Sequence, residues 1–407
     1  MMLVAKQTTR MFDRVLAKQL RAAARRMPVV TLTGPRQSGK TTLVRNTFPR
    51  HAYVSLERPD ERSRAREDPL GFLAGFPAGV ILDEVQRAPE LLSYVQSAVD
   101  DDARPGRYIL TGSQNLLMME KISQTLAGRT AILRLLPLTL TELTGRKPLD
   151  PGRLDSPPRR AIPPKLDPWP TIWAGFYPRI HDQKLPPERW LADYFRTYVE
   201  RDLRDVLRVL DLDSFERFVR LTAARTGQEL NLTALAEDAG VSQPTAHAWI
   251  AALRAAFIVT LLPPHHANFR KRMRKRPRLH FLDTGLVCYL LGIHSAVLLE
   301  RHPLRGAIFE SFVVGELIKA FENSAREAPV FFWRDATGHE LDCLIDLGNR
   351  QLPVEIKSGL TVAADSVNGL RWWTGLPGNK NKGGVLVHGG VRTFSLHGFT
   401  VLPWFLK

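Results

Sequence analysis

The segment Gly34-Pro35-Arg36-Gln37-Ser38-Gly39-Lys40-Thr41 constrains this chain more than any other, because it meets the pattern GxxxxGK[ST] at every fixed position. The pattern has meaning only between an apolar strand and a helix. Val29–Thr33 supplies the strand, and the stretch from about Gly39 to Phe48 supplies the helix. Glycines let the backbone curl so that several N–H groups face one anion, and the helix N-terminus adds partial positive charge. The phosphate cradle is therefore expected at Gly34, Pro35, Arg36, Gln37, Ser38, Gly39, Lys40, Thr41 and Thr42. Lys40 is placed to reach the outer phosphates and the Thr41 hydroxyl to sit on Mg²⁺.

A companion motif follows. Val80-Ile81-Leu82-Asp83-Glu84 is an apolar strand that ends in two acids. Asp83 is the expected metal-holding carboxylate, and Glu84 is placed to polarise an attacking water. The Asp-Glu pair argues for hydrolysis over nucleotide storage. Further strands are read at His51–Leu56, Arg107–Thr111 and Ala131–Leu136, with helices over 11–26, Glu90–Val99 and Leu116–Leu126. Strands alternating with helices predict an open parallel sheet covered on both faces. Ser113, or Thr111, ends the fourth strand where a polar side chain senses the γ-phosphate.

Beyond residue 145 the texture changes. Residues 146–189 are rich in proline and read as a connector with local structure around Trp169–Tyr177. Residues 190–300 read as helical. Within them Asn231–Ser242 gives a helix and a glycine turn, and Gln243–Leu253 a second helix N-capped by Ser242. Phe257–Leu262 follows as a strand leading into a basic wing. This is the pattern of a winged helix, with Arg270, Lys271, Arg272, Arg274, Lys275, Arg276 and Arg278 as phosphate contacts. The second helix has few long polar residues besides Gln243 and His247, so recognition of DNA by structure rather than by base sequence is expected.

Residues 301–407 begin with a helix at Gly306–Asn323, followed by strands at Val330–Arg334, Leu341–Asp346 and Pro353–Lys357. Side chains alternate across a strand, so Glu355 and Lys357 share one face. Asp342 on the hairpin and Glu310 on the helix are expected to meet them, as three carboxylates suited to Mg²⁺ beside the Lys357 amine, placed to orient or help deprotonate an attacking water.

Charge and composition set the remaining bounds. The chain has 407 residues, which suggests roughly two to four domains. Its 57 Lys and Arg against 41 Asp and Glu give a net charge of +16, a surface that attracts polyanions. Two cysteines, Cys288 and Cys343, exclude a disulfide scaffold and favour a reducing compartment. There is no apolar run of about 18 residues and no readable secretion signal, so a cytoplasmic, non-membrane protein is expected.

Residues 10–145 resemble the AAA+ class of P-loop ATPases. More narrowly, Leu32–Leu43, Leu82-Asp83-Glu84-Val85-Gln86, Leu110-Thr111-Gly112-Ser113, Tyr198–Leu203 and Val354–Ser358 resemble a prokaryotic subset with a C-terminal domain of unknown function. Glu310, Asp342, Glu355 and Lys357 resemble the ordered acids and lysine of the PD-(D/E)XK nuclease superfamily. The implied architecture is α/β throughout: an AAA+ parallel-sheet domain at 1–145, the connector, the winged-helix domain, and a nuclease-like α/β domain. The implied activity is Mg²⁺-dependent ATP hydrolysis in a homo-oligomer, a ring in which Arg129 acts on the neighbouring subunit's nucleotide. Remodelling or translocation of DNA, with Mg²⁺-dependent cleavage by the C-terminal domain, is the leading expectation. The alternative is a nucleotide-dependent switch acting on a protein partner without DNA. A third reading is a transcription factor with an ATPase accessory.

Overall fold

The structure is a computed structural model, and it describes residues 12–113, 124–156, 162–200, 211–265, 276–379 and 381–406. The N-terminal layer starts with helix α1 (Ala17–Ala24), which leads into strand β1 (Val29–Gly34). Helix α2 (Lys40–Thr47), strand β2 (Ala52–Ser55), helices α3 (Pro59–Glu67) and α4 (Pro69–Ala74), and strand β3 (Val80–Asp83) follow. Helix α5 (Leu91–Asp101) and strands β4 (Tyr108–Ser113) and β5 (Thr130–Arg134) complete it. The five strands form a parallel sheet in the order β2-β3-β4-β1-β5. The expected open parallel sheet is present, with each strand within a residue or two of its predicted bounds. The expected helix over 116–126 lies mostly outside the described residues.

Period-two alternation explains why both faces of the sheet are covered. Val30, Leu32, Ile81, Ile109 and Leu133 pack with α1 and α2 on one side. Val29, Val80, Leu82, Tyr108 and Leu110 pack with α3, α4 and α5 on the other. Each Leu or Val buried this way contributes about 1.5–3 kcal/mol.

A short helix, α6 (Leu140–Thr144), leaves this layer through a capping box in which Thr139 and Glu142 exchange hydrogen bonds. The proline-rich stretch that follows is not a loose connector. Helices α7 (Pro168–Ala174), α8 (Pro178–Asp182) and α9 (Pro187–Tyr194) each open on a proline. Proline suits the first helical turn, where its missing N–H has no partner to lose. Trp169, Ile172, Phe176, Tyr177 and Ile180 are buried in a core shared with the rest of the chain up to Leu406. The expected break between connector, helical region and C-terminal region is therefore not a break in packing.

Helix α10 (Leu212–Ala224) and short strand β6 (Gln228–Glu229) lead into α11 (Leu232–Ala239) and α12 (Gln243–Ala255). Asn231 and Ser242 cap the two helices, and Gly240 makes the left-handed turn between them. Strands β7 (Val259–Leu262) and β8 (Arg278–Phe281) join β6 in an antiparallel sheet ordered β6-β8-β7.

Helices α13 (Thr284–Leu290), α14 (Ala296–Arg301) and the long α15 (Arg305–Glu322) precede strands β9 (Val330–Arg334), β10 (Glu340–Asp346) and β11 (Gln351–Lys357). Helix α16 (Asn368–Thr374) and strands β12 (Val385–His388), β13 (Phe394–Leu396) and β14 (Phe399–Pro403) end the chain's described structure. The sheet order is β13-β14-β12-β11-β10-β9. One face packs in the shared core with α15, and the other packs Leu370 and Trp373 of α16 against Leu341, Leu344 and Leu386. Among the described residues no helix is long and apolar enough to cross a membrane.

Candidate functional site

The phosphate cradle forms where β1 delivers its end to α2. Gly34 has φ +152, and an added Cβ would lie 2.1 Å from the Leu135 carbonyl oxygen. The glycine is required because β1 runs hard against the exit of β5. Gln37 and Gly39 adopt φ 63 and φ 92, so the backbone reverses just before the helix. A reversal of this kind makes an anion-binding concavity. Lys40 is buried, and its Nζ donates to the carbonyls of Gly34 at 3.0 Å and Pro35 at 2.9 Å. Burial lowers its pKa to about 8, against the opposing pull of Glu84 and Asp83. The Ser38 Oγ is buried with no hydrogen-bond partner among the described residues.

Asp83 ends β3 beside this loop. Thr41 Oγ1 donates to its Oδ2 at 2.9 Å, Tyr53 OH to the same oxygen at 2.8 Å, and Thr111 Oγ1 to Oδ1. The Thr41 hydroxyl and Asp83 carboxylate are hard oxygen donors side by side, the chemistry that Mg²⁺ requires. Glu84 follows with φ 57, a backbone conformation that costs a non-glycine residue energy and persists only when its surroundings enforce it. The Gln86 amide supplies part of that enforcement. Its Nε2 donates to the Glu84 carboxylate and, at 3.0 Å, to Ser113 Oγ. The loop, both acids, Thr111 and Ser113 thus converge at the C-terminal ends of three adjacent strands, as read from sequence.

Two cavities meet at this point. One, of about 450 Å³, is lined by Arg36, Gln37, Lys40, Thr41, Glu84 and Arg179. The other, of about 310 Å³, is lined in part by Phe12, Ala17, Leu43, Leu138 and Pro178. A polar compartment beside a more apolar one fits the phosphates and base of a nucleotide. Pro178, Arg179 and Asp182 come from α8, in the stretch read as connector, and were not foreseen. Nothing in one dimension brings residue 179 to residue 36. Arg14 was also missed. Its guanidinium donates to the carbonyls of Ser38 and Leu136, each at 2.6 Å, and to Glu142 at 3.0 Å. Arg129 pairs with Asp100 through two contacts of 2.6 and 3.0 Å. It lies at the start of β1, where Val29 N donates to its carbonyl, at the far end of the strand from the loop.

The C-terminal acids come together, though not as a metal cage. Arg278, from β8, is buried and donates to Glu310 and Glu340, each at 3.1 Å, and lies 3.8 Å from Asp342. Asp342 Oδ2 also accepts from Ile356 N at 2.7 Å, and Lys357 Nζ contacts Glu355 at 2.6 Å. Burial, then the nearby Asp342 charge, raises the carboxyls of Glu310 and Glu355 to about 8. Among the described residues no group of three His, Cys, Asp or Glu is arranged to hold a metal. The expected metal set of Glu310, Asp342 and Glu355 is corrected accordingly: a guanidinium already stands among the acids. The same contacts remove Arg278 from the expected wing, since a buried, paired arginine does not meet a phosphate backbone. Arg276 is exposed, and Arg270, Lys271, Arg272, Arg274 and Lys275 lie outside the described residues.

Comparison with known proteins places an AAA domain over the layer that carries the cradle. Residues 26–144 match the AAA domain family model, residues 169–296 a domain of unknown function (DUF8612), and residues 305–406 a domain of unknown function (DUF4143). Two curated relatives, the uncharacterized proteins Rv2008c of Mycobacterium tuberculosis and Mb2031c of Mycobacterium bovis, are each 33% identical over 344 residues. That match covers 84% of this chain and 73% of each relative. Among solved structures, the Walker-type ATPase PABY2304 of Pyrococcus abyssi matches 70% of this chain and 98% of its own, at 14% identity and TM-score 0.40. A RuvB variant of Thermotoga maritima matches 61% of this chain and 87% of its own, at 21% identity and TM-score 0.30. The chain is an AAA-type P-loop ATPase, and it belongs to the family that these two mycobacterial proteins represent.

Proposed function

We propose that this ATPase spends nucleotide turnover on DNA held by its middle unit, and that it works as a homo-oligomer. The observation that carries the catalytic half is the adjacency of Lys40, the Thr41–Asp83 pair and Glu84 around one cavity. Lys40 exchanges the loop carbonyls for the outer phosphates. Thr41 and Asp83 would hold Mg²⁺, which when bound would neutralise phosphate charge. The Glu84 carboxylate orients the attacking water and takes its proton once Gln86 lets go. Ser113 shares the Gln86 amide and so is positioned to report that release.

The DNA half rests on charge and on the helix–turn–helix with its antiparallel sheet, which supports a winged-helix reading. On α12, Gln243, His247 and Arg254 are exposed, and with Arg276 they line a cavity of about 430 Å³. One or two exposed cations there, on a chain of net charge +16, suit backbone contact more than base reading. The deciding measurement is ATPase rate with and without single-stranded, duplex and branched DNA at two salt concentrations. Stimulation that fades with salt is expected. Turnover indifferent to every DNA form would favour the alternative, a switch acting on a protein partner, for which the Gln86 clamp on Glu84 is a suitable resting state. Lys40→Ala should abolish nucleotide binding, and Glu84→Gln should bind ATP without turning it over. Normal turnover in Glu84→Gln would remove the role given to that residue.

A further inference from the structure

The two nucleotide cavities share four lining residues, Gly39, Thr42, Pro178 and Asp182. Gly39 and Thr42 lie where the phosphate loop enters α2, and Pro178 and Asp182 are the two ends of α8. The larger cavity holds the cations suited to phosphate, Arg36, Lys40 and Arg179. The smaller one offers the apolar surfaces of Phe12, Leu43 and Leu138. In any nucleotide the ribose joins the base to the phosphates. A nucleotide with its base in the smaller cavity and its phosphates in the larger therefore brings its sugar to the shared residues.

Of the four, Asp182 carries charge. It is half-buried, and its Oδ1 is shielded from water with no hydrogen-bond partner among the described residues. An unpaired, shielded carboxylate oxygen is costly, and the cost is removed when a donor arrives. Three neighbouring cations are engaged elsewhere: Lys40 on the loop carbonyls, Arg14 on Glu142 and Leu136, and Arg179 on Gln183. A phosphate cannot be the donor, because it is an anion rich in acceptors. The fold holds the acid in place. Tyr177 and Ile180 are buried, His181 Nε2 lies 2.8 Å from the Gly175 carbonyl oxygen, and Leu185 N donates to the Ile180 carbonyl at 3.0 Å. A carboxylate fixed in this way is organised for its ligand before the ligand binds.

We infer that Asp182 is the ribose-binding residue of this ATPase, accepting hydrogen bonds from the 2′- and 3′-hydroxyls, so that the enzyme selects its nucleotide by the sugar as well as by the phosphates. The vicinal hydroxyls of a ribose match the paired oxygens of one carboxylate, the same chemistry by which an acid holds ribose in dinucleotide-binding folds. The inference rests on the reading of the two cavities as base and phosphate compartments. The exocyclic amine of adenine is the other donor that ATP offers. It lies at the end of the base away from the sugar, whereas Asp182 also lines the phosphate cavity.

The test is calorimetric binding of ADP, 2′,3′-dideoxy-ADP and inosine diphosphate, each with Mg²⁺, to the full chain; diphosphates avoid turnover. The unsubstituted protein should bind ADP about ten- to a hundredfold more tightly than dideoxy-ADP. Asp182→Ala should bind the two alike, and its preference for ADP over inosine diphosphate should be that of the unsubstituted protein. Equal binding of ADP and dideoxy-ADP by the unsubstituted protein overturns the inference. So does an Asp182→Ala that keeps the sugar preference, or one that loses the base preference in its place, since the acid then reads the base. Lys40→Ala separates this inference from the cavity reading. If it binds ADP as tightly as the unsubstituted protein, the nucleotide lies elsewhere and both fall. Binding that needs Lys40 but ignores the sugar overturns the ribose assignment alone. Should Asp182→Ala fail to fold, Asp182→Asn, which keeps one acceptor oxygen and loses the charge, should retain only part of the sugar preference, and full retention overturns the inference.

Discussion

Gln86 illustrates how a single amide can hold the carboxylate to which a catalytic role is proposed. Glu84 sits in a left-handed backbone conformation with its side chain tied to Gln86, which also holds Ser113. A hydrogen bond to a charged group is worth about 1.5–3 kcal/mol, so the resting pose is favoured by at least a factor of about ten. Gln86→Ala should therefore raise basal single-turnover hydrolysis by about tenfold or more and leave nucleotide affinity unchanged. A fall in turnover instead would make Gln86 a positioner of the attacking water. Gly34 is equally exacting for a different reason. With backbone of β5 only 2.1 Å from the site of a Cβ, Gly34→Ala should prevent the cradle from forming, and loss of nucleotide-dependent thermal stabilisation reads this out.

At the level of elements, the β9–β10 hairpin shows how polar contacts order an exposed turn. Asp335 accepts from the Thr337 backbone and hydroxyl, each at 2.8 Å, from His339 N at 3.0 Å and from the Trp372 indole at 3.0 Å. Trp372 in turn stacks on His339 at 3.6 Å. Desolvation works to raise the Asp335 carboxyl, but these hydrogen bonds prevail and hold it at about 2, below its ordinary 3.8. The folded pKa is depressed, so the stabilisation is present above the ordinary value and is lost as pH falls through about 2. Protection of the amides across 335–339, taken relative to their intrinsic exchange rates, should be lost only as pH falls from about 4 toward 2. Asp335→Asn should show the faster exchange already at neutral pH, with Trp372 emission shifted to the red.

For the molecule as a whole, the junction between the ATPase layer and the remainder is made by buried charge. Glu316 on α15 accepts from Leu140 N at 2.8 Å, and Lys319 donates to the Leu138 carbonyl at 3.1 Å and to Glu316 at 3.2 Å. Both side chains are 3% exposed. Burial raises the Glu316 carboxyl and Lys319 opposes it, so the pair stands or falls together. Glu316→Ala strands a buried ammonium and should cost about 3–5 kcal/mol, seen as a lower urea midpoint. On the other side of α6, Glu142 accepts from Val15 N and Arg14, and Arg14 reaches Ser38 in the cradle. Buried and part-buried hydrogen bonds, joined through the backbone of residues 138–142, therefore link the nucleotide loop to the helix that carries Glu310. Glu316→Ala should also lower DNA-stimulated turnover more than basal turnover if that link transmits work.

What the sequence determined by itself is the geometry of the proposed catalytic centre: the loop at 34–41, Asp83 with Glu84, and the strand-helix alternation that brings them together. These are legible because backbone curvature and strand periodicity act between residues close in the chain. The helix–turn–helix at 231–253 was legible for the same reason, its caps and glycine turn being local. Tertiary structure alone decided the rest. Arg179 and Arg14 reach the nucleotide cavities from segments with no motif. Proline, which punctuates a linker, here begins three packed helices because their apolar faces found a core. The spacing of Glu310, Asp342, Glu355 and Lys357 brings these residues together, but spacing does not record which distant cation a buried acid will recruit, and in this fold it is Arg278. Electrostatic neutralisation is a property of the folded neighbourhood, not of the interval between residues.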